Sequence, residues 1–133
     1  QANGKFSNCE DVVNIINSLG SIETLSINNA SADGLDIDFS ELEINNIFIS
    51  NSQNDCVDFS KGKYLISSAN LSNCGDKGIS VGEQSHFEAL NVKIFNANIG
   101  ISSKDSLLRA KLKKINLLSQ RGNWFSSILN GDH

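Results

Sequence analysis

The sequence predicts an all-β protein: a single-stranded, right-handed parallel β-helix, or β-solenoid, of about six 22-residue coils. Three observations predict it. Chemically alike residues recur every 22 positions, and inside each repeat apolar and polar residues alternate with a period of two. The composition uses Asn, Ser, Ile and Leu heavily and has no Pro or Met. A period of two is what a half-buried strand requires, because successive side chains point to opposite faces. Abundant Asn and Ser suit tight turns better than helices.

The repeat is legible when segments with Asp-rich or Gly-rich openings are stacked. DVVNII starts at Asp11, DGLDIDFS at Asp33, DCVDFS at Asp55, KGISVG at Lys77 and IGISSK at Ile99. The next column reads Val12, Gly34, Cys56, Gly78, Gly100 and Gly122, so small residues dominate one corner. Two apolar columns follow and are expected to point inward: Val13, Leu35, Val57, Ile79, Ile101, and Ile15, Ile37, Phe59, Val81, Ser103. Between them lie Asn14, Asp36, Asp58, Ser80 and Ser102, expected to face outward.

A second strand in each coil shows the same step. Leu25, Ile47 and Ala69 align, as do Ile27, Ile49 and Leu71, and an asparagine column Asn29, Asn51, Asn73 follows. In the fourth coil Val92, Ile94 and Asn96 slip by one residue, and a shorter turn before Gly100 restores the count. Such a period excludes ankyrin and tetratricopeptide arrays, whose helical units are longer. Stacked coils turn aligned residues into ladders about 4.8 Å apart, so an Asn column is expected to hydrogen-bond along the stack.

These segments resemble the right-handed parallel β-helix (pectin lyase-like) superfamily, over about residues 9 to 106. CEDVVNI, SADGLDIDFS, NDCVDFS, GDKGISVGEQS and IGISSKDS occur in that order and are closest to a bacterial surface and secreted repeat subgroup. The resemblance implies the fold, a bacterial extracellular or cell-surface location, and polysaccharide as a ligand class. Activity transfers less well than fold, because function resides in sites grafted on a scaffold.

The whole chain, 1–133, reads as one β-helix domain and as a mature product or excised piece of a longer protein, since it starts at Gln1 and lacks Met. Residues 107–133 read as a last coil or a C-terminal cap. Leu107, Leu108, Leu112, Ile115 and Leu118 with interspersed Arg109, Lys111, Lys113 and Lys114 suit a coil or an amphipathic helix; the register of Gly122 favours the coil. An open solenoid end exposes strand edges, so end-to-end self-association is also expected, especially after Ser106.

Charge and motifs narrow the function classes. A net charge of −4 and the lack of a basic run before Arg109 argue against nucleic acid. No apolar stretch reaches membrane-span length. Three cysteines at irregular spacing, Cys9, Cys56 and Cys74, imply neither a zinc site nor a disulfide framework and leave at least one thiol free. Gly75 to Glu83 is glycine-rich but lacks phosphate-loop spacing. Two histidines, His86 and His133, leave little material for a Ser/His/Asp or Cys/His nucleophile.

The chemistry that remains is acidic. Asp11, Asp33 and Asp55 share one column, Asp36 and Asp58 another, and Asp38 lies on the same face as Asp36. Carboxylates on adjacent coils are expected about 5 Å apart, which suits a retaining glycosidase pair or a shared calcium ion. The candidate catalytic residues are Asp36, Asp38 and Asp58; the candidate calcium ligands are Asp33, Asp36, Asp55 and Asp58. An acid column at a turn also caps backbone N–H groups, which is the commoner use. Lys77 and Lys104 are the nearest basic groups, and neither Tyr64 nor Trp124 falls beside the acids as a sugar platform.

The expected function is therefore a non-catalytic module of a bacterial surface or secreted protein, presenting a flat wall for carbohydrate or protein contact. The alternative is a carbohydrate-active enzyme or its remnant, a polysaccharide lyase or glycoside hydrolase, acting on acidic polysaccharide through the outward aspartates.

Overall fold

The computed structural model describes residues 2–9, 13–104 and 111–118, and every described element is a strand. Short and long strands alternate. β1 is Ala2–Cys9, β2 Val13–Ile16, β3 Leu19–Ala30, β4 Leu35–Asp38, β5 Glu41–Ser52, β6 Val57–Ser60, β7 Lys63–Cys74, β8 Lys77–Val81, β9 His86–Phe95, β10 Ile99–Ser103 and β11 Lys111–Leu118. The odd-numbered strands form a six-stranded sheet in the order β1-β3-β5-β7-β9-β11, and the even-numbered strands a five-stranded one in the order β2-β4-β6-β8-β10. All pairs are parallel.

This is a parallel β-solenoid with four complete coils, β2–β3, β4–β5, β6–β7 and β8–β9, flanked by β1 at one end and by β10 and β11 at the other. The expected six coils are thus corrected to about four. Beyond the fourth coil the described residues supply only β10 and β11, and the sixth expected coil, near Gly122, lies outside them. Lys111–Leu118 joins the long sheet as a strand, with Leu112 opposite Ala89 and Ile115 opposite Val92. The expected register of Gly122 and Trp124 lies outside the described residues.

The inward columns are those the spacing predicts. Leu35, Val57, Ile79 and Ile101 pair in register and are buried, as are Ile37, Phe59 and Val81. The long strands contribute Leu25, Ile47, Ala69 and Val92, then Ile27, Ile49, Leu71 and Ile94. Each long strand breaks the period of two once: Leu42 and Ile44 point inward, then Ile47 and Ile49. The unpaired step at Asn45 lets one strand line two parts of the core.

Tyr64 is an inward residue, fully buried and stacked 4.7 Å from the Phe59 ring. Its hydroxyl donates its one hydrogen to the Ser60 carbonyl at 2.7 Å, with the Ile37 carbonyl 3.1 Å away as the alternative acceptor, so the one buried phenol is satisfied. Gly34 and Gly78 explain the small-residue corner. A Cβ on Gly34 would sit 2.6 Å from the Cys56 carbonyl oxygen, and one on Gly78 would sit 2.6 Å from the Gly100 carbonyl oxygen.

Every coil turns through two left-handed corners. One is the asparagine column, which extends beyond its predicted members: Asn8, Asn29, Asn51, Asn73 and Asn96 all have φ between 53 and 62°. Asn tolerates this region because its short polar side chain bonds locally. Here it bonds along the stack, with Asn29 donating to Asn8 at 2.8 Å, Asn51 to Asn29 at 3.1 Å, Asn73 to Asn51 at 2.9 Å and Asn96 to Asn73 at 2.9 Å. Asn96 follows Asn73 by 23 positions, the predicted slip, and Ile101 against Ile79 restores 22.

The second corner is Asn17, Phe39, Lys61 and Gln84, with φ between 47 and 54°. Phe39 is a bulky side chain in a strained backbone region, half in water, and the Lys61 ammonium lies 4.9 Å from its ring centroid.

Cys56 and Cys74 form a disulfide, both residues fully buried. This overturns the sequence expectation that no disulfide is implied. The two cysteines stand 18 residues apart, less than one coil, so the link joins the start and end of the same turn of the solenoid. In the preceding coil the same two positions hold Gly34 and Ser52.

Candidate functional site

The acid columns lie at the start of the short strands and on their outward face. Asp33 and Asp55 occupy the corner before β4 and β6, and both cap the coil above. One oxygen of Asp33 accepts the Asp55 backbone N–H at 3.0 Å and the Asn54 side-chain amide at 2.6 Å. Asp55 accepts the Lys77 backbone N–H at 3.0 Å and meets its ammonium at 3.3 Å, while that ammonium also reaches Asp76 at 2.6 Å. Burial pushes the Asp55 carboxyl up, and the Lys77 N–H and charge oppose the rise. These two acids serve the backbone.

Asp36 and Asp58 are register partners on β4 and β6, side by side on the outer face, and Asp38 is two residues further on. Asp36 accepts the Asn14 amide at 3.2 Å, and Asp38 accepts the Ser60 hydroxyl. Asp36 is pushed up to about 6, first by burial and then by the charges of Asp38, Asp58 and Asp33. Asp58 is also raised, by burial above all, with the Ser80 hydroxyl and Lys104 opposing. The predicted trio is therefore brought together. Among the described residues no group of three His, Cys, Asp or Glu side chains is arranged to hold a metal ion. A calcium ion at this face would have Asp36 and Asp58 as its anionic ligands, with Asp33 and Asp55 turned to backbone N–H groups. Asp11 lies outside the described residues.

The pKa of Asp36 sets a pH dependence. Its folded value of about 6 lies above the unfolded 3.8, so the native state binds the proton more tightly. Stability from this group is then present below about pH 4 and lost as pH rises through 6. A shift of this size corresponds to about 3 kcal/mol at most, and partial solvent exposure reduces it to about 1 kcal/mol. Asp36→Asn should therefore melt with wild type at pH 4 and above it at pH 7, with calcium and chelator giving the same curves. A calcium-dependent rise in wild type that Asp36→Asn abolishes would instead identify a cation site.

A different wall carries the features a ligand needs. On the outer face of the second half of the long strands, Lys5, Ser26, Phe48, Asn70 and Lys93 form one column. Ser7, Asn28, Ser50, Ser72 and Phe95 form the next. Together they line a shallow groove of about 580 Å³. Phe48 and Phe95 are 43% and 48% exposed, large apolar rings set among hydroxyls and amides. The groove contains two lysines and no carboxylate among its described residues, in a chain of net charge −4. Lys5 and Lys93 stand four strand spacings apart, about 19 Å.

Sequence reasoning missed this wall. Phe48 sits in the run Ile47-Phe48-Ile49, which reads as uniformly apolar and hides that its ring points out while its neighbours point in. The one-residue slip in the fourth coil also hid Lys93 beneath Asn70. The usable signal was parity: with Ile47 and Ile49 assigned inward, Phe48 had to face water. No protein-family model, curated protein or solved structure matches the chain.

Proposed function

We propose that the chain is a non-catalytic solenoid module of a secreted or cell-surface protein that holds a carbohydrate chain on the outer wall of its long sheet. The observation that carries this reading is the strip of Lys5, Phe48, Asn70, Lys93 and Phe95, which combines aromatic faces, amides and cations without a carboxylate. Aromatic rings offer an apolar platform for the C–H faces of a sugar, and flanking amides and hydroxyls pair with its hydroxyl groups. The rigid stack presents these groups at a fixed spacing, so little ordering accompanies binding.

An extracellular or cell-surface site belongs to the same proposal and is supported by the Cys56–Cys74 disulfide, because such links persist in oxidising compartments. Kinship with the bacterial pectin lyase-like superfamily is proposed from the sequence motifs and the parallel solenoid together.

Calorimetric titration against a panel of neutral and uronate-containing oligosaccharides tests the reading. Phe48→Ala should weaken binding about tenfold, near 1.4 kcal/mol, while Asp36→Asn on the opposite wall leaves it unchanged. Absence of binding across the panel, or equal binding by Phe48→Ala, would overturn it.

The raised Asp36 carboxyl favours one other reading, a carbohydrate-active enzyme in which Asp36 acts as general acid beside Asp58 and Asp38. Cleavage of a uronate polysaccharide that disappears in Asp36→Asn would establish it; an uncut substrate after prolonged incubation removes it.

A further inference from the structure

The outer face of the long sheet is divided by charge along its strands. Glu41 and Glu43 stand on the first half of β5, Glu88 shares a column with Glu43 across Leu65, and Glu23 accepts the Asn45 amide at 2.8 Å. The second half carries the groove, which has Lys5 and Lys93 and no carboxylate among its described residues. Both lysines are exposed, and neither ammonium has an ion-pair partner among the described residues. They belong to one column, on β1 and β9, with Ser26, Phe48 and Asn70 between them on β3, β5 and β7. Two cations without counter-charges thus flank a stretch of hydroxyl, ring and amide that has no charge of its own.

We propose that the ligand of this groove is a sparsely charged anionic glycan, laid along the solenoid axis with acidic groups on Lys5 and Lys93 and neutral sugars over Phe48 and Asn70. The inference rests on the carbohydrate reading above and adds to it the ligand's charge, charge spacing and direction. Direction follows from the columns, which run across the strands and therefore along the stack. A pyranose advances an extended glycan by about one strand spacing, so cations four strands apart match acidic groups about four sugars apart. A homopolymer with an acid on every sugar does not match. It would lay further anions over Phe48 and Phe95, whose ring faces are negative, and beside Asn70 and Ser50, where no cation offsets their loss of water. A wholly neutral glycan leaves both ammonium groups without a counter-charge. Lysine is a compact point charge on a flexible stem, so the groove selects where the anions stand, and both carboxylate and sulfate ester meet that requirement.

Calorimetric titration tests it with length-matched galacturonan and dextran chains in which none, a quarter or all of the sugars are charged. The charge is a free carboxylate on the first, the rest being methyl-esterified, and a sulfate ester on the second. On at least one backbone the quarter-charged form should bind about fivefold or more tighter than the neutral and the fully charged forms, the scale of two exposed ion pairs, and the advantage should fade as salt is added. Lys5→Gln/Lys93→Gln should bring the quarter-charged form down to the neutral one with an unchanged melting temperature. Lys63→Gln, on the first half of the same face, should change nothing. Asn70→Lys, which puts a third cation between the two, should move the preference towards the fully charged form. Tightest binding of the neutral or the fully charged chain by wild type, or a charge preference indifferent to Lys5→Gln/Lys93→Gln, overturns this inference and leaves the carbohydrate reading standing; no binding of any chain overturns both.

Discussion

Val57→Asp should leave the chain unfolded. Val57 is 1% exposed in the centre of the inward column, with Leu35 below and Ile79 above in direct register. An aspartate there meets only aliphatic neighbours. An unpaired carboxyl in such a place costs several kcal/mol even after it takes up a proton, and the lost valine packing adds to this. The sum approaches the 5–15 kcal/mol that holds a typical domain together. Far-UV circular dichroism with a urea titration reads the outcome; a cooperative transition at the wild-type midpoint would mean that the inward assignment is wrong. Asp58→Val, one residue along and facing out, is the control and should fold.

Removal of the Cys56–Cys74 link should destabilise the domain by about 3 kcal/mol, the loop-closure scale for a ring of this length. The effect comes mainly from the unfolded chain, which gains freedom once the third coil is no longer closed on itself. A reductant should lower the urea midpoint of wild type and leave that of Cys56→Ser/Cys74→Ser unchanged, with the reduced wild type and the variant coinciding to within the cost of two buried hydroxyls. Thiol titration of the unfolded, unreduced chain should return one group per chain, because Cys9 is the third of three cysteines. Three reactive thiols, or equal midpoints with and without reductant, would contradict the link.

The repeat was legible in sequence because a solenoid converts a one-dimensional period into a three-dimensional neighbour relation. Residues 22 apart become register partners, so Val13, Leu35 and Val57, or Asp36 and Asp58, could be placed beside one another before any coordinates. The asparagine corner was legible for the same reason, and even the slip at Asn96 could be counted. What remained hidden lies across the coil. The Cys56–Cys74 link joins positions 18 apart, on opposite sides of one corner, and the period says nothing about which residues of a single turn approach one another. The spacing put Asp36 and Asp58 side by side, but the division of labour among the aspartates followed from hydrogen bonds: Asp33 and the buried Asp55 hold backbone N–H groups, and Asp36 accepts from Asn14 instead.

The sequence by itself determined the fold class, the inward columns and the asparagine ladder, since each follows from alternation within a strand and recurrence between strands. Only the tertiary structure decided the number of coils, the disulfide, and the face on which Lys5, Phe48 and Lys93 converge. The long strands change parity at Asn45, and the fourth coil carries one extra residue before its long strand and one fewer after it; each shift sends a whole set of side chains to a different column. Local pattern carries no record of that choice. It is made when Ile44 and Ile47 both seek the core, and the backbone between them has to yield.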